Sequence, residues 1–485
     1  MAEDNLKQKT ISALVWEFSQ KLLNQLLSFV VTVILARLLL PEDYGAVALA
    51  GMFNILMGVF IDGGMGMSLI QKKDADDLDY NTVFYSNVVM SLLIYALVFV
   101  LAPYVAEFYK LPILSPLIRV MAIGMPIGAL SGVHNAIISK KLEFRKFFVT
   151  SIWRQSIAAV IAIILAFHGF GPWALAAQSV IASMANTLAL FSLAKWTPSL
   201  SFSWARFWGL FDFAWKKQAA GLLGTFCSQL KGYLVGYKYS AADLAFLNRG
   251  DSLPDMFMNN INGTINGVLF PALSNVNNDV DAVKRGIRRS MMVSSYVLCP
   301  ILFGLAAMAK QIVPVLYSAK WAPAVPFMQV ACLTCCMTVL NTANIQALLA
   351  IGRSDEVLKL EFYKKPVMIA ILAVAIFISP IAISIGLLFY SFYVLCMNAI
   401  PNKKHLGYSI WEQINDVKAA FVLSAVMAVA VYAVGLLSAN VYVLMILQIM
   451  IGITLYVGMS HFFHLESYVY VKNTIMELYN KKMRK

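Results

Sequence analysis

Charged residues are scarce in this chain of 485 residues. They make up 13% of it, whereas hydrophobic residues make up 60%. Soluble globular proteins carry about a quarter charged residues, so this composition is typical of a protein embedded in lipid. The polar stretches between the apolar runs are short, and none is long enough to fold as a separate soluble domain. We therefore expect the membrane part to be the whole protein.

Catalytic and metal-binding motifs are also missing. The sequence has no G-x-x-x-x-G-K-[ST] nucleotide loop and no H-E-x-x-H zinc motif. Its six cysteines fall in apolar segments, and the pair Cys332 and Cys335 has neither a second pair nor a histidine at zinc-ligand spacing. Buried cysteines of this kind pack as small hydrophobic residues. We expect no catalytic residue, no metal site and no cofactor, and therefore no enzyme.

The formal net charge of +13 does not point to nucleic acid. Binding of nucleic acid needs a basic patch, and here the basic residues are scattered through short loops. Cytoplasmic loops of membrane proteins collect Lys and Arg, which accounts for the excess. No nucleic-acid partner is expected.

Apolar runs long enough to cross a hydrocarbon layer recur along the whole chain and predict about fourteen transmembrane helices. The first ten residues lack the basic start and apolar core of a secretory signal, so the first run is predicted to be a true span. The predicted spans are 11–36, 44–68, 82–102, 114–138, 147–168, 172–194, 211–236, 242–271, 290–308, 324–350, 361–379, 382–400, 419–437 and 441–463.

The loop charges predict the orientation in the membrane. With the N-terminus inside, most Lys and Arg of the loops fall on the cytoplasmic side, so both termini are expected in the cytoplasm. The inner set includes Lys72, Lys73, Lys140, Lys141, Arg145, Lys146, Lys284, Arg285, Arg288, Arg289, Lys403, Lys404, Lys481, Lys482, Arg484 and Lys485. The outer set is Arg37, Lys110, Lys238, Lys310 and Lys320.

The two halves of the chain look related. The run from Leu40 to Gly45, between the first two spans, has a counterpart from Ser240 to Ala245, between the seventh and eighth. Repeated six-helix halves are a transporter architecture with a central site. We therefore predict an N-lobe (1–195), an interfacial linker rich in Trp and Phe (196–210), a C-lobe (211–400), and two further spans with a cytoplasmic tail (401–485).

Polar side chains form stripes on the first and seventh predicted helices. Glu17, Lys21 and Asn24 share one face of the first, and Lys217 and Lys231 share one face of the seventh. Ionisable groups that face lipid cost several kcal/mol, so these faces are expected to line protein or a water-filled cavity. The alternative is a local ion pair between Glu17 and Lys21 at the interface.

Other candidates lie inside later apolar runs. Arg154, Arg249 and Lys364 would make the interior basic, which suits an anionic diphosphate because Arg and Lys supply charge-assisted donors. Asn259 and Asn262 could bind sugar hydroxyls, since an amide offers both donors and an acceptor. The alternatives are an ion-pair network of Arg249 with nearby aspartates, and hydrogen bonds between helices for the amides.

The chain resembles the Wzx-type polysaccharide-transport branch of the multidrug/oligosaccharidyl-lipid/polysaccharide exporter superfamily. The resemblance is carried by the segments Ala36 to Gly45, Phe60 to Gly66, Ser68 to Gln71, Lys141 to Arg145 and Asp243 to Arg249. It implies two pseudo-symmetric six-helix lobes plus two C-terminal helices in a bacterial inner membrane. It also implies alternating access that moves an undecaprenyl-diphosphate-linked oligosaccharide to the outer leaflet.

The resemblance implies a cationic cavity for this cargo, with Lys21, Arg154, Lys217, Lys231, Arg249 and Lys364 as candidates. It allows coupling to an H⁺ or Na⁺ gradient, and contacts with membrane lipids, a polysaccharide polymerase and chain-length proteins. Two alternatives stay open. One is a related exporter of a peptidoglycan precursor or a drug, and the other is a membrane enzyme of polysaccharide assembly, which short outer loops disfavour.

Overall fold

The computed structural model describes residues 2–62, 65–72, 74–276 and 279–483, and their regular secondary structure is entirely helical. The first helices are α1 (Ala2–Leu38), α2 (Pro41–Asp62), α3 (Met65–Gln71), α4 (Asp77–Phe108), α5 (Leu114–Ala122), α6 (Gly124–Ala129), α7 (Gly132–Lys140), α8 (Phe144–Phe167), α9 (Pro172–Ala194) and α10 (Trp204–Lys238). The later helices are α11 (Ala241–Thr264), α12 (Phe270–Ser274), α13 (Val280–Tyr317), α14 (Val325–Ala350), α15 (Ser354–Ala375), α16 (Pro380–Leu406), α17 (Ile410–Val434), α18 (Val441–Phe462) and α19 (Glu466–Met483). A π-helical turn (Ile265–Leu269) follows α11, and a 3₁₀ turn (Ala319–Ala324) precedes α14.

Local sequence signals explain where several helices begin and end. Ser409 caps α17, because its hydroxyl accepts the N–H of Glu412 while the Glu412 carboxylate accepts the N–H of Ser409. Gly407 ends α16 in the left-handed conformation, with a φ of +60°, which glycine adopts without steric cost. Pro172 occupies the first turn of α9, where its missing N–H costs nothing.

Ten helical segments of the described residues are long and apolar enough to cross a membrane, and α5 to α7 form an eleventh candidate bent by 44°. The predicted class, an all-α protein with many membrane spans, is confirmed. Pro126 lies in α6, and a proline inside a span permits bending. The remaining predicted spans, 211–236, 242–271 and 361–379, correspond to the more polar helices α10, α11 and α15. The total of about fourteen transmembrane spans therefore stays a prediction.

The chain divides into two compact units, Met1–Ala245 and Phe246–Lys485. Within the first unit, α1, α8 and α9 pack together, and α10 packs on α2, α3 and α4. Within the second, α13 packs on α14 and α17, and α16 packs on α14 and α15. The predicted boundaries of the lobes and the linker, and their pseudo-symmetry, stay predictions.

Each unit has an apolar core and an apolar outer surface. In the first unit, Leu35 and Ala162 are buried between α1 and α8, and in the second, Ile287 and Leu340 are buried between α13 and α14. Large apolar side chains of the helices also point outward, such as Leu188 of α9, which is 66% exposed, and Val429 of α17, which is 71% exposed. A helix that is apolar on both its buried and its exposed faces is suited to contact with lipid.

Candidate functional site

The predicted stripe on α1 is partly engaged with α8. The side-chain amides of Gln20 and Asn24 both donate to the hydroxyl of Ser151, at 2.9 and 3.3 Å. Arg154 lies three residues after Ser151 on the same helix, and its Nε is buried without a hydrogen-bond partner among the described residues. The structure thus places Asn24 and Arg154 near the same polar contact. A ligand bound there could accept a hydrogen bond from Nε of Arg154.

Glu17 and Lys21 form the local ion pair that the sequence offered as the alternative. The Nζ of Lys21 lies 2.7 Å from Oε1 of Glu17, and the two side chains are 71% and 36% exposed. Such an exposed pair one helical turn apart contributes a few tenths of a kcal/mol. A cavity-lining role for these two residues stays a prediction.

The lysines of α10 lie on a helix that is held closely against α2. Lys231 is half-buried, whereas the side chain of Lys217 lies outside what the structure describes. The side-chain amide of Gln218 donates to the carbonyl oxygens of Val59 and Phe60, at 3.1 and 2.6 Å, near the end of α2. Gln218 therefore fixes α10 beside the position of Lys217.

Arg249 on α11 is held by aromatic rings. Its guanidinium carbon lies 5.0 Å from the ring centre of Tyr317 and 5.1 Å from that of Trp321. Both rings are almost fully buried. Cation–π contact stabilises a guanidinium most where water is excluded. The structure thus places the Arg249 guanidinium against two buried aromatic rings.

The asparagines of α11 are arranged along the helix up to the π-helical turn. Asn259 is exposed, and Asn262 donates to the sulfur of Met258 at 2.8 Å. One turn later, within the π-helical segment, Asn266 accepts a hydrogen bond of 2.7 Å from Gln346 of α14. Single π turns inside α-helices are frequent at functional sites. A role of Asn259 and Asn262 in sugar binding stays a prediction.

Lys364 on α15 is the most deeply buried of the predicted residues whose side chains are described, with 2% of its surface exposed. Its Nζ lies 2.5 Å from Oε1 of Glu361 and 3.3 Å from Oδ1 of Asn398 on α16. Asn398 in turn donates to Oδ1 of Asn341 on α14, at 3.2 Å. The predicted cation is therefore part of a polar network that joins three helices.

A second layer of amides lies beside this network. Asn344 and Gln413 exchange hydrogen bonds of 2.8 and 3.1 Å, and Asn402 donates to Oδ1 of Asn344 at 2.9 Å. Beyond it, the hydroxyl of Tyr408 donates to Oδ2 of Asp416 at 2.8 Å. Burial and this hydrogen bond raise the pKa of Tyr408 above its ordinary value, so it remains a donor at neutral pH.

Sequence reasoning missed Ser151, Asn398, Asn402 and Gln413. Asn398 and Asn402 are spaced by one helical turn, a pattern that could have marked a polar face on α16. Ser151 carries no such signal, because a lone serine in an apolar helix usually bonds to its own backbone. Its role depends on α1 lying against α8.

Residues 34–326 of the chain match the family described as polysaccharide biosynthesis protein. The chain belongs to that family. The match covers more than half of the sequence, from the end of α1 to the start of α14. The predicted resemblance to polysaccharide exporters is therefore confirmed.

Two relatives of this chain have informative names. The succinoglycan biosynthesis transport protein ExoT of Rhizobium meliloti is 30% identical over 310 residues, which cover 62% of this chain and 61% of ExoT. The lipopolysaccharide biosynthesis protein WzxC of Escherichia coli is 23% identical over 443 residues, which cover 89% of each chain. ExoT is thus named as a transport protein, and both names are in keeping with the predicted transporter class.

Solved structures confirm the fold. The lipid II flippase MurJ, in an inward closed conformation, aligns with a TM-score of 0.73 and 14% identity over 93% of this chain and 99% of MurJ. An inward-facing multidrug resistance transporter of the MATE family aligns with a TM-score of 0.58 and 13% identity, covering 79% of this chain and 94% of the transporter. At such identities the likeness concerns the fold alone.

Proposed function

We propose that the protein is a flippase for undecaprenyl-diphosphate-linked oligosaccharide. It would carry this cargo by alternating access from the cytoplasmic to the outer leaflet of a bacterial inner membrane, for the synthesis of a surface polysaccharide. The family and the names of its relatives support the pathway. The observation that carries the proposal is the buried cation Lys364 among amide side chains.

A buried lysine in an apolar helix bundle needs a reason. Well-packed apolar residues often replace buried ion pairs without loss of stability, so stability alone does not account for a lysine at this position. Lys364 offers three donors, of which Asn398 accepts one and Glu361 another. We expect a phosphate of the cargo to replace Glu361, and the neighbouring amides to bind sugar hydroxyls. Lys231 and Arg249 would supply further positive charge.

The orientation in the membrane, the partner proteins and the energy source are part of the same proposal. Both termini would lie in the cytoplasm, as the basic loops indicate. The cargo would leave the protein for a polysaccharide polymerase and its chain-length proteins in the outer leaflet. An H⁺ or Na⁺ gradient would supply the free energy for the return of the empty transporter.

The test compares two neighbouring lysines of α15 in a strain that lacks its own flippase and depends on this protein for surface glycan. We expect Lys364→Gln to reduce export roughly tenfold to a hundredfold, because a charge-assisted hydrogen bond to phosphate is lost. Lys365→Gln is the matched control, because Lys365 lies on the same helix near the same Glu361 but is 40% exposed. The readout is surface glycan per copy of protein in the membrane.

A second variant separates transport from folding. Lys231→Gln on α10 should also reduce export while the amount of protein in the membrane and its melting temperature in detergent stay unchanged. Normal surface glycan in both Lys364→Gln and Lys231→Gln would remove these residues from the cargo path. If the protein rescues a strain that lacks its peptidoglycan-precursor flippase but does not rescue glycan export, the cargo is the peptidoglycan precursor and not the proposed oligosaccharide.

A further inference from the structure

A cavity of about 610 Å³ lies in the second unit, outside the helices of the candidate transport site. It is formed by the start of α13 and by the turn and helix that follow α18. Arg285, Arg288 and Arg289 line one side, and Glu466 and Tyr470 line the other. Three arginines around one cavity of this size indicate an anionic ligand.

The three arginines differ in how far their charges are already compensated. Arg288 lies 3.0 Å from Asp416 and 3.7 Å from Glu466, and Arg285 lies 3.8 Å from Asp279. Arg289 has no carboxylate within ion-pair distance among the described residues. Its guanidinium carbon lies 4.5 Å from the ring centre of Tyr470. A guanidinium stacked on a ring keeps its N–H donors available for a phosphate.

The cavity lies where the apolar helices end. The apolar helix α18 ends at Phe462, and Phe462 and Phe463 are 77% and 61% exposed. Met292 and Val293, which also line the cavity, begin the apolar part of α13. Aromatic side chains beside a basic cluster at the end of a membrane helix are typical of the headgroup region.

We propose that this cavity binds the phosphate of an anionic phospholipid of the surrounding membrane. Arg289 would hold the phosphate with its free donors, and Arg285 would add a second charge. Met292 and Val293 would contact the first carbons of the acyl chains. The bound lipid would tie α19 to α13. This proposal depends on the membrane fold and not on the cargo, so it can fail without the flippase assignment failing.

Native mass spectrometry of the full chain in detergent tests the site with phosphatidylglycerol as the probe and phosphatidylcholine as its neutral counterpart. We expect phosphatidylglycerol to bind more tightly, and Arg289→Gln to weaken its binding about fivefold. Tyr470→Leu should weaken it as well, because the platform under the guanidinium is lost. Lys403→Gln is the matched control, since Lys403 is an exposed basic residue outside the cavity and should bind as wild type.

Thermal melting in the presence of each lipid gives a second readout that does not depend on transport. Phosphatidylglycerol should raise the melting temperature of wild type and of Lys403→Gln, but not that of Arg289→Gln. Unchanged binding in both Arg289→Gln and Tyr470→Leu, or an equal loss in Lys403→Gln, would overturn the proposal. Displacement of phosphatidylglycerol by equimolar inorganic phosphate would assign the site to free phosphate, and displacement by undecaprenyl diphosphate would assign it to the cargo.

Discussion

At the scale of single residues, the carboxylate of Asp79 in the first turn of α4 is fully buried. It accepts hydrogen bonds from Nζ of Lys72 at 2.6 Å and from the backbone N–H of Asp76 at 3.2 Å, and it pairs with Arg206 at 3.1 Å. The backbone N–H of Asp79 and the guanidinium of Arg206 hold the pKa of Asp76 below its ordinary value. Asp79 therefore connects α3, α4 and the start of α10 within the first unit.

Replacing this buried carboxylate should destabilise the first unit. We expect Asp79→Asn to lower the free energy of unfolding by about 2 kcal/mol, because two ion pairs become hydrogen bonds to a neutral amide. Asp77→Asn is the control, since Asp77 lies in the same helical turn but is exposed. Thermal unfolding of the purified protein in detergent compares the two. Equal melting temperatures for both variants would show that the Asp79 contacts add nothing to stability.

Residue-level analysis identified isolated charges but not their partners. Lys364 is conspicuous in an apolar run, since a charge there must be compensated. Asn398, which accepts its hydrogen bond, lies 34 residues away, and nothing in the local sequence relates the two. Arg249 likewise contacts the rings of Tyr317 and Trp321, which lie far from it in the sequence. Partners depend on tertiary packing, which one-dimensional patterns do not contain.

At the scale of elements, the two motifs that the sequence paired begin α2 and α11 in the same way. Asp43 Oδ2 accepts the N–H of Leu40 at 3.0 Å, and Asp243 Oδ2 accepts the N–H of Ser240 at 3.1 Å. Both are capping turns in which the aspartate follows the donor by three residues. This shared local structure supports the predicted duplication of the halves.

The same two motifs meet at Gly45. A Cβ on this residue would lie 1.8 Å from the backbone oxygen of Ala241, an atom that cannot rotate away. We expect Gly45→Ala to lower the free energy of unfolding by about 3 kcal/mol or more, because the start of α11 must shift away from α2. Gly58→Ala on the same helix is the control, since no atom lies within 4 Å of its Cβ.

The measurement is the amount of folded protein in the membrane and its melting temperature in detergent. Gly58→Ala should equal wild type or exceed it slightly, because alanine favours the helix over glycine. If Gly45→Ala melts at the same temperature as Gly58→Ala, the close approach of the two motifs is wrong.

The presence and order of the elements were predictable because apolar runs and turn residues mark them, but α13 (Val280–Tyr317) extends well beyond the predicted span 290–308. Each predicted span corresponds to a helix or a broken helix, and the three least apolar ones, α10, α11 and α15, carry Lys217, Lys231, Arg249 and Lys364. The division of the fourth span into α5, α6 and α7 was not predicted. It depends on packing against α4 and α9, which hydropathy does not register.

At the scale of the whole molecule, the distribution of basic residues predicts which side of the membrane each loop occupies. The turn between α7 and α8 and the adjoining helix ends carry four basic residues, Lys140, Lys141, Arg145 and Lys146. The turn after α4, by contrast, has the single basic residue Lys110 between residues 109 and 113. Since basic loops are retained in the cytoplasm, the first of these turns should lie inside and the second outside.

Reporter fusions test this orientation directly. Alkaline phosphatase is active only after export, so we expect high activity when it follows Lys110 and little when it follows Lys141. Green fluorescent protein after residue 483 should fluoresce, because it folds in the cytoplasm. Active phosphatase after Lys141 together with a dark C-terminal fusion would reverse the orientation. The basic cavity at α13 and α19 would then lie in the outer leaflet.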